Sequence, residues 1–227
     1  MNLDQYKNNL FGPIFSIITP FKKNGNIDYF SLKNYINYLY KRGATKFFVM
    51  VYNSRLSLLT EQEIIKLNLF CIKKVKKLNK KNIIICAEPY HTSTSQSIKY
   101  VNLFKKNGAD IVSLIFGEKY YSDLQVFKHF QKVHNNTNCY LLLHQQILEN
   151  GLSASKPFLY YSLELLKKIS KLPKFVAMKE DAKNKNLTRM IGLNLSSKMV
   201  IITSGGGKQQ WLFSRKYGCQ SWLSGVS

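Results

Sequence analysis

The stretch KNGADIVSLIF, residues 106–116, joins the end of a helix to the start of a strand, and this combination decides the fold. Gly108 follows a lysine-rich segment with helical spacing and suits the left-handed conformation that ends many helices. Residues 110–116 then have the character of a buried strand, because they are apolar almost throughout rather than alternating. The same order recurs at KRGATKFF (41–48) and KYGCQSWL (216–223), so helix, glycine and strand form a recurring unit of this chain.

The strand pattern occurs eight times, with segments of helical character in between. The predicted strands cover residues 14–19, 46–52, 82–88, 110–116, 139–144, 174–180, 198–204 and 219–224. Thr60 and Glu63 predict a capping box at the start of one helix, and Ser31 is the predicted cap of another. Eight strands with seven intervening helices predict an α/β fold, a (β/α)8 TIM barrel formed by residues 1–227 as a single domain. A doubly wound open sheet is the alternative, but its glycine-rich phosphate turn is missing after the first strand.

The composition excludes several classes of protein. The formal net charge of +22 comes almost entirely from lysine, spread along the chain beside asparagine and isoleucine. A solvated basic surface is the preferred interpretation, with no specific nucleic-acid partner, and a basic nucleic-acid-binding protein is a less favoured alternative. The N-terminus lacks the apolar core of a signal peptide, and no apolar run is long enough to span a bilayer. Four scattered cysteines without a CxxC pair agree with a reducing compartment, so a cytoplasmic protein without a membrane partner is expected.

Lys179 is the most informative candidate for chemistry, because it ends the predicted strand KFVAMKE (174–180). Active sites of such barrels lie at the carboxyl ends of the strands. Side chains alternate along a strand, so the inner set is either Ala177 with Lys179, or Val176 with Met178 and Glu180. In the first case an amine among apolar walls favours its neutral, nucleophilic form. A lysine that extends from a strand end to solvent is the alternative.

The chain resembles the dihydrodipicolinate synthase and N-acetylneuraminate lyase family of class I, Schiff-base-forming aldolases. The resemblance covers essentially the whole chain, and short motifs in their order carry it. These are GPIFSIITPFKKNGNIDYFSLKNYINYLYKRGA (12–44), TSQSIKYVNLFKKNGAD (94–110), FVAMKEDAKN (175–184), SGGG (204–207) and LSGVS (223–227). The resemblance implies a TIM barrel that acts on pyruvate or another small 2-oxo acid or carbonyl compound, with no metal or organic cofactor. It also implies a homo-oligomer, since relatives commonly form tetramers.

Residue by residue, the resemblance assigns Lys179 to the imine-forming lysine and His144 to the place of the family's proton-relaying tyrosine. Histidine is a competent acid or base near neutral pH, although a buried rim histidine is the alternative. Tyr120 or Tyr121 matches the second tyrosine of the family. The residues matching positions that line or hold substrate are Thr19, Tyr52, Asn53, Arg55, Gly205 and Gly206.

Several positions depart from the family pattern. Residues 51–55 lack the GTTGE-like loop that holds the substrate carboxylate. Arg55 offers a bidentate partner in its place, and a surface charge without a role in the site is the slightly preferred alternative. Glu149 stands where the family usually has an arginine, and Glu88 stands where it prefers a glycine. A carboxylate at position 88 is expected to act as a base or to pair with Lys179.

The sequence ends at Ser227, so the last helix and the C-terminal helical extension of the family are expected to be missing and the barrel to be incomplete. The function predicted from all these features is a Schiff-base-forming carbon–carbon lyase or aldolase. A non-catalytic relative, with the same barrel but altered binding loops, is the alternative.

Overall fold

The computed structural model describes residues 3–49, 58–90, 92–156, 158–182, 184–204 and 207–224. Strands and helices alternate along the chain, and the strands are β1 (Gly12–Ile17), β2 (Lys46–Val49), β3 (Ile83–Ala87), β4 (Ile111–Leu114), β5 (Tyr140–Gln145), β6 (Leu148–Glu149), β7 (Phe158–Leu159), β8 (Phe175–Glu180), β9 (Val200–Thr203) and β10 (Ser221–Ser224). The helices are α1 (Leu3–Leu10), α2 (Tyr29–Lys41), α3 (Glu61–Leu78), α4 (Thr94–Lys106), α5 (Asp123–Asn135), α6 (Leu163–Ile169), α7 (Lys185–Leu195) and α8 (Gly207–Ser214), and a 3-10 turn follows at Arg215–Tyr217.

Eight parallel strands close into a barrel in the order β1-β10-β9-β8-β5-β4-β3-β2. Each of these strands overlaps one of the eight predicted segments, and helices α2 to α8 occupy the seven intervals between them. The predicted (β/α)8 barrel is therefore confirmed. The expectation of a missing last helix concerns the chain beyond Ser224, which lies outside the described residues.

Large apolar side chains fill the interior of the barrel. The strand registers put one residue of each of six strands on a common face, and all six are buried: Ile14, Phe48, Ile85, Ile111, Leu142 and Val200. Apolar burial of this kind supplies most of the free energy of folding. The short antiparallel pair β6–β7 stands apart from the barrel and follows β5, at the end of the strands where barrel sites form.

Helix α1 lies against the opposite end of the barrel, where the strands begin. The ring of Tyr6 packs edge-on against Tyr140, the first residue of β5, with 4.5 Å between ring centroids. The hydroxyl of Ser221, the first residue of β10, donates a hydrogen bond to the carbonyl of Leu10. Tyr6 and Leu10 are buried, so α1 covers apolar surface at the amino ends of the strands. The sequence analysis assigned no element to this segment.

The helix ends show one confirmed and one wrong prediction. Thr60 and Glu63 form the predicted capping box at the start of α3. The predicted cap of α2 at Ser31 is wrong, because the side chain of Asp28 accepts from the backbone N–H groups of Phe30 and Ser31. The Ser31 hydroxyl itself donates to Asp28 at 2.7 Å. A carboxylate at the position before the first turn satisfies two helix donors, so α2 begins three residues earlier than predicted.

The recurring glycines adopt the predicted left-handed conformation, and two of them provide a matched test. The φ angles are +92° at Gly43 and +96° at Gly218, where an L-residue costs about 1–2 kcal/mol. A Cβ at Gly43 would meet no atom within 4 Å, whereas one at Gly218 would lie 2.8 Å from the Cβ of Ser196. We expect Gly218→Ala to lower the free energy of unfolding by more than Gly43→Ala does, by a further ~1 kcal/mol. Urea denaturation of the two variants measures this difference, and equal losses would contradict the close packing at Gly218.

Candidate active site

Lys179 lies on the inner face of the barrel. Its neighbour Glu180 accepts a hydrogen bond from Gln210 of α8 at 2.8 Å, which shows that Glu180 faces outward to the helix layer. Side chains alternate along a strand, so Lys179 faces the interior together with Ala177. Of the two alternatives left open by the sequence, the one with Ala177 and Lys179 inside is therefore confirmed. Lys179 is only 2% exposed.

An irregularity between β5 and β8 brings His144 beside Lys179. Leu141 pairs with Phe175, but the next residue, Leu142, pairs with Ala177, so β8 carries one extra residue at this point. Such a bulge shifts the pairing by one residue, so every later side chain of β8 lies opposite a different residue of β5 and on the opposite face from the one it would otherwise have. His144 consequently pairs with Lys179, and without the extra residue it would pair with Met178.

The row below this pair contains both small and large inner residues. Ala87 of β3, Ser113 of β4, Leu142 of β5 and Ala177 of β8 belong to one register row across the barrel. The short side chains of Ser113 and Ala177 lie on either side of Leu142 in this row. The Ser113 hydroxyl has no hydrogen-bond partner among the described residues.

Among the described residues, the lysine amine contacts the side chains of His144 and Asp181. Nζ of Lys179 lies 2.7 Å from Nε2 of His144 and 3.0 Å from Oδ2 of Asp181. His144 is as buried as the lysine, whereas the side chain of Asp181 keeps 20% of its surface exposed. The three side chains thus form a connected cluster that runs from the barrel interior to its rim.

The histidine of this cluster is held neutral. Burial lowers the pKa of His144 well below its usual value, and the neighbouring positive charge of Lys179 lowers it further. A neutral imidazole offers one ring nitrogen as an acceptor, so Nε2 can accept a hydrogen bond from the lysine ammonium. The buried amine therefore has one neutral acceptor and one negatively charged acceptor.

Asp181 was missed by the sequence analysis. It follows Lys179 by two residues at the end of β8, and residues two apart along an extended chain project to the same side. That spacing was the available signal. The sequence analysis instead considered Glu88 as the carboxylate partner of the lysine.

The prediction that Glu88 pairs with Lys179 was wrong. The carboxylate accepts a hydrogen bond from the backbone N–H of Ile115 at 2.9 Å. Ala87 belongs to the inner row, and side chains alternate along a strand. The next residue, Glu88, therefore points away from the barrel interior. Burial raises the pKa of Glu88 to about 8, against the lowering effect of Ser97 and Ile115. Glu88 thus packs toward the helix layer, and the carboxylate paired with Lys179 is Asp181.

The two candidate tyrosines occupy the loop between β4 and α5. The hydroxyl of Tyr120 donates to Asp123 at 3.0 Å, and burial together with this carboxylate raises the pKa of Tyr120. Tyr121 is about half exposed, and its ring packs against Gly151. The backbone of Tyr120 bonds to Glu149 and Gly151, so the β4–α5 loop is tied to the segment after β6. Glu149 itself lies 3.9 Å from Lys119 in an exposed ion pair.

Of the six remaining predicted site residues, the structure describes one, Thr19. Thr19 is buried just beyond β1, and its hydroxyl has no hydrogen-bond partner in the described parts of the chain. A buried hydroxyl without a partner costs free energy. The predictions that lie outside the described residues are those for Tyr52, Asn53, Arg55, Gly205 and Gly206.

A closed barrel of eight parallel strands, with a buried lysine at the carboxyl end of one strand, places this chain among the (β/α)8 barrels. The sequence model of the Dihydrodipicolinate synthetase family matches residues 9–227, and the chain belongs to that family. A similar protein is the 4-hydroxy-tetrahydrodipicolinate synthase of Bacillus velezensis, which is 28% identical over 132 residues. These residues make up 57% of this chain and 44% of that relative, so the match spans less than half of the relative's length.

Solved structures of low sequence identity share the fold. The dihydrodipicolinate synthase of Oceanobacillus iheyensis superimposes with a TM-score of 0.81 at 16% identity, over 99% of this chain and 70% of that chain. The N-acetylneuraminate lyase of Fusobacterium nucleatum gives a TM-score of 0.78 at 13% identity, over 94% and 69% of the two chains. Within the described residues, every helix is too short or too polar to cross a membrane.

Proposed function

We propose that this protein is a Schiff-base-forming carbon–carbon lyase or aldolase that acts on pyruvate or another small 2-oxo acid or carbonyl compound. The observation that carries this proposal is the position of Lys179, whose amine lies inside the barrel at the carboxyl end of β8. Membership of the Dihydrodipicolinate synthetase family supports it, as do relatives that are named as a synthase and a lyase.

In the proposed reaction, the amine of Lys179 adds to the substrate carbonyl and forms an iminium ion after loss of water. The positive nitrogen then accepts the electron pair released when a neighbouring carbon–carbon bond breaks, or stabilises the carbanion that forms a new one. The burial of Lys179 reduces the amount of water around this nitrogen and strengthens electrostatic interactions there. The lysine therefore serves both as the nucleophile and as the electron sink.

The other polar groups of the site have supporting roles in this proposal. His144 accepts a hydrogen bond from Lys179 and orients the amine, and it is the nearest candidate for later proton transfer to substrate carbon. Thr19 supports the site through its buried hydroxyl, which has no hydrogen-bond partner among the residues that the structure describes. Tyr120 and Tyr121 lie on the loop beyond β4 as second candidates for proton transfer. The other proposed substrate contacts, which lie outside the described residues, are Tyr52, Asn53, Arg55, Gly205 and Gly206.

Reductive trapping tests the proposal. Incubation with pyruvate and sodium borohydride should reduce the imine to a stable secondary amine, and mass analysis of proteolytic peptides should locate the added mass at Lys179. Lys46 provides an internal control, because burial lowers its pKa but it lies at the amino end of β2, away from the proposed site. An adduct on Lys46, or no adduct with pyruvate and a series of other 2-oxo acids and small aldehydes, would contradict the proposed function.

A further inference from the structure

A carboxylate with no role assigned by the sequence lies against the reacting amine. We propose that Asp181 is the acid–base catalyst of imine formation: it takes the proton that Lys179 must lose and returns it to the hydroxyl group that leaves as water. This inference rests on the proposed function, since it requires an imine at Lys179. The observation behind it is the 3.0 Å distance between Oδ2 of Asp181 and Nζ of Lys179.

The geometry favours Asp181 over the other carboxylates near the lysine. Glu180 is adjacent in sequence, but its carboxylate is bound to Gln210 and to the backbone N–H of Ala182. Glu88 is bound to the backbone of Ile115 and packs toward the helix layer. Within the described residues, Asp181 is thus the carboxylate in ion-pair contact with the lysine.

The charge balance favours Asp181 over His144 as the proton acceptor. Protonation of His144 would place a positive charge on a fully buried ring, which burial and the neighbouring lysine both oppose. Transfer from Lys179 to Asp181 instead converts a partly buried ion pair into two neutral groups. Desolvation disfavours charged forms, so the neutral pair costs less here than it would in water. His144 then keeps the lysine in place through the hydrogen bond to Nε2.

The partial exposure of Asp181 suits a group that exchanges protons. Its side chain keeps 20% of its surface accessible, whereas Lys179 keeps 2%. Asp181 connects the buried amine with the rim of the barrel.

The ammonium of Lys179 transfers one proton to the Asp181 carboxylate, and the freed lone pair forms the nitrogen–carbon bond while the carbonyl π electrons move to oxygen. A proton on nitrogen passes to that oxygen and gives the carbinolamine. Asp181 then donates its proton to the hydroxyl group, the carbon–oxygen bond breaks, and water leaves as the iminium forms. Asp181 ends as a carboxylate, and no oxidant or reductant is needed.

Three substitutions of Asp181 test this role by the rate of borohydride trapping with pyruvate. Asp181→Asn keeps the size of the side chain but cannot carry the proton, so we expect trapping to slow by about 100-fold. Asp181→Glu keeps the carboxylate and should retain more of the rate. Asp181→Ala should be as slow as the asparagine variant, but added formate should restore part of its rate by filling the space with a small carboxylate. Glu164→Gln, on the surface of α6, is the matched control and should trap at the wild-type rate.

The possible outcomes separate this inference from the proposed function. Suppose that the wild-type protein forms the adduct and that Asp181→Asn traps pyruvate at the wild-type rate or faster. Asp181 would then only hold the ammonium, and this result would overturn the inference but not the proposed function. Slow trapping in all three variants without rescue by formate, relative to chloride at the same ionic strength, would indicate a structural role and would also overturn it. Absence of any adduct in the wild-type protein would overturn the proposed function itself.

Discussion

Replacing Lys179 with alanine should reduce the turnover of whichever 2-oxo acid the wild-type protein processes by about 10⁴-fold or more. The expectation follows from covalent catalysis: without the amine no iminium forms, and the electron pair of the breaking carbon–carbon bond has no acceptor. No other described amine contacts the pair His144 and Asp181 in its place. The trapping assay checks that the imine is lost, and steady-state turnover measured on the same variant checks that the reaction is lost with it.

Two further variants distinguish lost chemistry from lost structure. Lys179→Met keeps a long side chain in the same space, removes the charge and should be equally inactive, which excludes a cavity as the cause. Lys46→Met removes a lysine of the opposite barrel end, whose amine donates to the carbonyl of Phe11, and should remain active. Residual turnover of Lys179→Met at a tenth of the wild-type rate or above would contradict a lysine-based mechanism.

The fold was predictable because its signals are local and repeated. Each barrel strand is short and apolar on both faces, as strands covered by helices and by a packed interior must be. Gly43, Gly108 and Gly218 mark helix ends because a residue with a side chain is disfavoured at their positive φ angles. Periodicity and glycine placement depend only on neighbouring residues, so the sequence displays them directly.

Other parts of the fold depend on competition between neighbours or on distant contacts. Asp28 and Ser31 are both good caps, and the carboxylate takes the position because it accepts from two backbone donors. Helix α1 is stabilised by packing on Tyr140 and Ser221, which are far from it in sequence. A local sequence pattern does not show that the amino ends of the strands offer an apolar surface to this helix.

The candidate site was only partly predictable for the same reason. The position of Lys179 at the end of a strand could be read from the alternation of strands and helices. The extra residue of β8 could not, since it appears only in the pairing with β5, and it determines that His144 lies beside the lysine. Asp181 was within reach of an argument from spacing, because residues two apart at a strand end share a side.

His144 gives the second large effect, because its hydrogen bond to Lys179 combines orientation with possible proton transfer. His144→Leu keeps a buried side chain of similar size but removes the acceptor 2.7 Å from the amine, so both trapping and turnover should fall by about 100-fold.

His144→Gln separates the two roles, since an amide oxygen can accept from the amine but an amide does not transfer protons near neutral pH. If orientation and proton transfer are distinct contributions, the glutamine variant should form the trapped imine at close to the wild-type rate while its turnover remains low. The trapping rate and the steady-state turnover of the same preparations measure the two contributions. Equal, wild-type values of both in His144→Leu would show that the neutral imidazole only fills space beside the lysine, and Asp181 would then be the sole functional partner of the amine among the described residues.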